Sequence, residues 1–247
     1  MMENVKKIQP ILKIEELRKS FGENHVLNAF NMELHEGENL VITGKSGSGK
    51  SVMIKCLVGL MMHDSGIIEI MGNDITKLTQ NELNNLRTKI GFLFQGSALY
   101  DSMTVRENLE FPLRKQNKTF KETKTLVTDA LESVGLLDAI DLMPAELSGG
   151  MKRRVALARA LILQPKIIIY DEPTTGLDPI TAKEIIHLME DIQQKYGTSS
   201  LIITHDVDCA RVISDRMILL IDGVNYAQGT FKEISSLTDK KIQEFFK

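Results

Sequence analysis

Cysteine is nearly missing from this 247-residue sequence: Cys56 and Cys209 are the two present, far apart and in no metal-ligand spacing. That scarcity argues against a disulfide framework and a thiolate-held metal, and predicts two buried free thiols in a reducing compartment. An excess of positive charge is also missing. The net charge is -3 and the pI about 6.0, so no nucleic-acid partner is expected, because such binders usually present a basic face. No apolar run follows Met1-Met2-Glu3-Asn4-Val5-Lys6-Lys7, so no secretory leader is expected there. The longest apolar runs, such as 167–170, are too short to cross a bilayer. Low-complexity tracts and internal repeats are absent. The expectation is a soluble, cytoplasmic protein that reaches any membrane through a partner.

What is present is ordinary globular material, 43% hydrophobic and 26% charged, in a chain long enough to bury a sizeable core. Short β-rich runs alternate with longer helical patterns. Buried strands are predicted over 38–43, 90–94, 166–170 and 200–204, with helices over 51–60 and 180–196. Alternation of this kind implies an α/β fold with a parallel sheet covered by helices. Two regions depart from it. Residues 11–21 and 26–34 read as strands of an N-terminal antiparallel sheet. From 96 to 154 the pattern is mostly helical, with helices expected over 103–114 and 122–134. The predicted organisation is one unit with a core at about 11–95 and 155–230. An inserted helical subdomain occupies about 96–154 and a tail about 231–247. A hairpin over 216–227 is expected to turn at Asp222-Gly223.

Gly44-Lys45-Ser46-Gly47-Ser48-Gly49-Lys50-Ser51 fits the phosphate-loop pattern G-x-x-x-x-G-K-[ST], between a predicted strand and a predicted helix. Its glycines let the backbone turn tightly, so that successive N–H groups point at an anion. The helix that begins near Lys50, with Val52 in its first turn, adds the positive end of its dipole. Lys50 would place its charge on the β- and γ-phosphates, and Ser51 would offer an oxygen to Mg²⁺. Asp171 ends an apolar strand, the expected place for a second metal-holding carboxylate. Glu172 follows, and strand alternation turns it to the other face, where it can address a water as a general base. These two motifs alone specify a P-loop NTPase and leave kinases, GTPases and motor proteins open.

Leu147-Ser148-Gly149-Gly150-Met151 narrows the class. It resembles the signature motif of ABC ATPases, whose commonest form ends in Gln. Residues 152–161, with Arg153, Arg154 and Arg159, look like the helix that follows it. Gln95 resembles the Q-loop glutamine, Gly176-Leu177-Asp178 the D-loop, and His205 the switch histidine. Phe21 stands where the family usually carries an adenine-stacking aromatic, more often Tyr. The resemblance spans about 11–229 and implies a RecA-like core that binds ATP with Mg²⁺. It assigns Gln95 and His205 to metal, water or γ-phosphate, and Asp178 to nucleotide contacts. A Ser-Gly-Gly turn opening a helix is itself a second anion nest. In the family a head-to-tail homodimer unites the two nests. The phosphate loop of one copy faces Ser148, Gly149 and Gly150 of the other across ATP. Met151 cannot donate the hydrogen bond a Gln could; the backbone nest does not depend on it.

A finer resemblance, to ATPases of the Mla/Mce group, lies in two stretches. One is Phe94-Gln95-Gly96-Ser97-Ala98-Leu99-Tyr100-Asp101-Ser102-Met103-Thr104-Val105. The other is Leu142-Met143-Pro144-Ala145-Glu146-Leu147-Ser148-Gly149-Gly150-Met151. That group implies phospholipid transport with a membrane permease and an MCE-type lipid-binding protein, the ATPase being peripheral on the cytoplasmic face of the inner or plasma membrane. The alternatives are the ATPase of a small-solute importer, for amino acids for example, and a membrane-associated cell-division ATPase. Leu99, Tyr100 and Met103 are expected to be partly exposed where a permease helix would dock.

Overall fold

A computed structural model describes residues 9–246. The start at Met1–Lys7, where no leader is expected, lies outside the described residues. β1 (Leu12–Phe21) and β2 (Asn24–Leu34) form an antiparallel hairpin that turns at Gly22. β3 (Asn39–Thr43) and α1 (Lys50–Leu57) follow, then β4 (Ser65–Ile70), β5 (Asn73–Asp74), α2 (Gln80–Arg87) and β6 (Ile90–Leu93). A helical stretch holds α3 (Val105–Glu110), α4 (Phe120–Ser133) and α5 (Gly149–Leu161). The chain then returns through β7 (Ile167–Asp171), α6 (Pro179–Tyr196), β8 (Ser199–Ile203), α7 (Val207–Ile213), β9 (Arg216–Ile221) and β10 (Val224–Gly229). It closes with the short helices α8 (Phe231–Ser235) and α9 (Lys240–Gln243).

The larger sheet runs β10-β9-β3-β8-β7-β6, and every pair in it except β10 with β9 is parallel. β3 and β8 are buried at every residue, which is why their centres, Leu40-Val41-Ile42 and Leu201-Ile202-Ile203, are apolar on successive residues instead of alternating. The smaller sheet runs β2-β1-β4-β5, wholly antiparallel. Two apolar clusters fill the interior. One centres on the smaller sheet, α1 and one face of the larger sheet. The other joins the opposite face to α4, α5 and α6. Cys56 and Cys209 are both buried and unbridged.

This arrangement positions a site. β3, β6, β7 and β8 are mutually parallel, so their C-terminal ends share one edge of the sheet, where ligands bind in open α/β sheets. The segments leaving those ends are the ones the sequence motifs occupy.

The helix expected over 103–114 is shorter. Thr104 and Glu107 form a capping box that starts α3, and the chain tightens into a 3₁₀ turn over Phe111–Lys115 at Pro112. α1 stops at Leu57 and not near 60, because Gly59 takes a left-handed φ of 67° and ends the helix. Asn108, fully buried, ties α3 to the segment behind β6. Its Oδ1 accepts the Tyr100 N–H at 2.8 Å, and its amide donates to the carbonyls of Tyr100 and Met103 at 3.1 and 3.0 Å. Asn108→Ala leaves those backbone groups without a partner. We expect it to cost about 1–3 kcal/mol in denaturant unfolding.

Candidate functional site

The loop between β3 and α1 is shaped by residues without side chains. A Cβ on Gly44 would strike the Leu220 carbonyl and approach Ser48 Oγ at 2.8 Å, and one on Gly49 would lie 2.9 Å from the Val26 carbonyl. Gly49 takes a φ of 105° and caps α1 with no side chain of its own. The first N–H groups of α1 therefore stay open to an anion, while within the loop the Ser48 N–H turns back to the Lys45 carbonyl at 3.1 Å. Lys50 folds back over the loop, its Nζ donating to the carbonyls of Gly44 at 2.6 Å and Lys45 at 3.1 Å. Burial pushes its ammonium below the ordinary lysine range, against the opposing pull of Glu172 and Asp171.

Asp171 is the last residue of β7, half-buried, and its carboxyl is pushed up by burial and by Glu172, while Lys50 pulls it down. Glu172 does not sit on the opposite face of the strand, as alternation would have it. The strand ends at Asp171, and Glu172 adopts a left-handed φ of 51° with its N–H on the Ile203 carbonyl at 2.8 Å. That turn brings both carboxylates to one cavity. Glu172 Oε2 accepts the Thr175 hydroxyl at 3.0 Å and lies 2.9 Å from His205 Nδ1. A left-handed glutamate is strained, and strain of this kind concentrates at functional sites.

The cavity encloses 820 Å³. Its wall contains Gly44, Lys45, Ser46, Gly47, Gly49, Lys50, Ser51, Val52, Gln95, Asp171, Glu172 and His205. Ser48 lines an adjoining space of 460 Å³. No group of three or more His, Cys, Asp or Glu side chains suited to a metal occurs among the described residues. Ser51, Asp171 and Gln95 instead offer a few oxygens beside an anion cradle. That suits Mg²⁺, which usually takes one or two carboxylates and completes its shell with phosphates and water.

Phe21, Ser148, Gly149, Gly150 and Asp178 are not part of that wall. Phe21 is exposed at the end of β1, with Lys19 Nζ 5.4 Å from its ring centre. Ser148 caps α5, its hydroxyl accepting the Met151 N–H at 3.2 Å, and Ser148 and Gly149 face solvent. Asp178 caps α6 through the N–H groups of Ile180 and Thr181. Four lining residues escaped the sequence reading: Val26, Ile203, Glu244 and Phe245. The apolar spacing of Ile242, Phe245 and Phe246 is the one signal that marks the tail as a packed element.

A second depression, of 290 Å³, lies behind Ser51 and Asp171 and is walled mainly by Ile54, Val58, Leu60, Ile90, Phe92 and Phe94. Leu60 and Phe94 are exposed. Of the residues expected to be partly exposed, Tyr100 is open to solvent, its ring centre 4.7 Å from that of Phe111 with the two rings tilted at 49°. Met103 is half-buried, and Leu99 packs against the larger core.

A family model described as "ABC transporter" matches residues 27–175. The chain is 40% identical to the methionine import ATP-binding protein MetN of Brucella abortus over 220 residues, 89% of this chain and 60% of that one. It is also 40% identical to the probable ribonucleotide transport ATP-binding protein mkl of Mycobacterium leprae, over 85% of this chain and 60% of that one. The chain thus spans about 60% of the length of these curated relatives. The dimeric ATP-binding cassette MJ0796, in a post-hydrolysis state bound to ADP and Pi, superposes with a TM-score of 0.80 at 33% identity, covering 89% of this chain and 98% of that one.

Proposed function

The chain belongs to the ABC transporter family of ATPases, and from that membership we propose that it powers a transporter by hydrolysing ATP as a homodimer docked on a separate membrane permease. The observation that carries this reading is the meeting of Lys50, Ser51, Asp171, Glu172, His205 and Gln95 around one cavity. The glycine loop and the start of α1 bind the phosphates through backbone N–H groups, and Lys50 supplies the charge. Ser51, Asp171 and Gln95 hold Mg²⁺, which when bound offsets the charge developing on the phosphates. Glu172 takes the proton of the attacking water. His205, beside it, and Gln95 orient the water and the terminal phosphate.

Ser148, Gly149, Gly150 and Asp178 serve the nucleotide of the partner copy. The exposure of Ser148, Gly149 and Asp178, and the absence of all four from the cavity wall, support a site completed across a head-to-tail interface. Phe21, although exposed here, remains our candidate for the base contact. No helix among the described residues is long and apolar enough to cross a membrane. We therefore assign attachment at the cytoplasmic face to the permease. The exposed apolar depression beside Asp171 and the helical region at about 96–154 are its docking area.

The names of the MetN relatives favour a small solute of the amino-acid class as cargo. A second reading, phospholipid transport with an MCE-type partner, is supported by Met151 in the signature and by the 94–105 and 142–151 segments. Purifying the chain with its permease from membranes separates the two. A co-purifying MCE-type protein, with lipid-stimulated phosphate release, supports the lipid. Stimulation by a substrate-loaded solute-binding protein supports the importer.

Tyr100→Ala tests the docking area. The ring is exposed, so the fold should survive, and nucleotide affinity should stay within about twofold, as for surface substitutions generally. Transport in reconstituted vesicles should fall about tenfold relative to ATP hydrolysis, by analogy with the loss of an interface anchor. Unchanged transport would move the docking area elsewhere.

A further inference from the structure

The end of the chain folds back onto the phosphate loop, and it does so through built contacts. Asp239 caps α9 by accepting the Lys241 N–H at 2.8 Å, and Ile242 is buried beneath it. Lys241 Nζ pairs with Asp222 at 2.8 Å in the turn between β9 and β10, and the Tyr226 hydroxyl donates to Asp239 at 2.9 Å. These anchors bring Glu244 Oε2 to 3.0 Å from Nζ of Lys45, the residue that follows the first glycine of the loop. Glu244 and Phe245 line both the phosphate cavity and the space beside it.

We propose that Glu244 is a tethered anionic occupant of the nucleotide site, holding Lys45 so that incoming phosphates must compete with the tail for it. The proposal rests on the ATP reading of the cavity and adds a residue that sets affinity. A carboxylate beside an anion cradle repels phosphate and also neutralises a cation the phosphate could use, and both effects weaken binding. The side chains of Lys45 and Glu244 are 71% and 42% exposed. Exposed pairs contribute little, so the tail tunes affinity and does not block the site. α9 has four residues, and the Glu244 and Phe245 N–H groups are held by the Lys240 and Ile242 carbonyls at 3.0 Å each. So short a helix can lift off when its partner lysine is taken.

Calorimetric titration of the full chain with ATP, and separately with inorganic tripolyphosphate, tests this. Glu244→Gln should tighten binding of both ligands by about three- to tenfold at low salt, the range of a single partly screened charge. The gain should shrink at about 0.5 M salt. It should vanish in a Lys45→Ala background, because the two residues act as one pair. In the wild-type chain, amide exchange at Glu244 and Phe245 should speed up when ATP is added. Unchanged or weaker binding by Glu244→Gln, or slower exchange with ATP, overturns the proposal and makes the tail a wall that grips nucleotide. A wild-type chain that binds neither ligand overturns the ATP reading as well. One that binds both and ignores the substitution overturns this inference alone.

Discussion

Glu172→Gln should bind ATP normally and lose hydrolysis by about 10²-fold or more, the usual size of a general-base contribution. The amide preserves the shape of the side chain. It can still accept the Thr175 hydroxyl, which lies 3.0 Å from the carboxylate, and it need not disturb the left-handed backbone. What it cannot do is take up a proton. The loss should therefore fall on kcat and leave KM for ATP within a few-fold. Bound ATP should accumulate and hold the dimer closed, visible as an ATP-dependent shift in size-exclusion chromatography. Phosphate release at the wild-type rate would remove Glu172 from the role. Lys50→Ala gives the contrasting pattern: nucleotide binding itself weakens, because the charge above the Gly44 and Lys45 carbonyls is gone.

The parts of this site that the sequence discloses are those written in local spacing. Gly44 to Ser51 is contiguous; Gly44 and Gly49 leave no room for a Cβ, and Gly47 takes a left-handed φ of 80°. β3, β7 and β8 announce themselves by apolar runs at 40–42, 167–170 and 201–203, because both sheet faces are covered there. The left-handed turn at Glu172 is not legible, since a non-glycine residue with that φ is held there by tertiary contacts. Its N–H on the Ile203 carbonyl belongs to another strand. The tail is less legible for a related reason: α9 has four residues, too few for a helical period to show, and Glu244, just beyond it, meets Lys45, 199 residues away in sequence. The end of α1 at Leu57 falls short of the expected 60, and the signal for it, Gly59 as a helix stop, lies inside the expected range.

Arg153 shows a further limit of local reading. It stands in a row of basic residues that looks like a solvated helix face, yet it is 4% exposed and its guanidinium bonds go to backbone carbonyls. Its guanidinium donates to the Phe94 carbonyl at 2.9 Å and the Thr175 carbonyl at 3.2 Å. One buried cation thus ties α5, the residue before Gln95, and the turn that holds Glu172. Arg159 likewise reaches the Ser97 and Ala98 carbonyls. The helix that Ser148 caps is thus joined by hydrogen bonds to the segments that carry Gln95 and Glu172.

Ser148→Arg and Lys50→Ala should each abolish turnover alone and recover it when mixed. Ser148 caps α5 from an exposed position. Losing the cap costs about 1 kcal/mol of helix stability, which a 13-residue helix packed on the larger core can absorb. The added guanidinium would instead fill the nest that must face the partner's nucleotide. If each site joins the phosphate loop of one chain to the signature of the other, a mixed dimer contains one doubly defective site and one intact site. Random pairing of equal amounts makes half the dimers mixed, so about a quarter of the wild-type sites return in a two-fold assembly. ATPase activity should rise toward that level on mixing, or stay below it if the two sites must fire together. The measurement is phosphate release against mixing ratio, with mixed dimers counted by differently tagged chains. Mixed dimers that form, stay inactive at every ratio and close on ATP at neither site would count against the head-to-tail arrangement; inactive ones that still close on ATP would mean that the two sites must fire together.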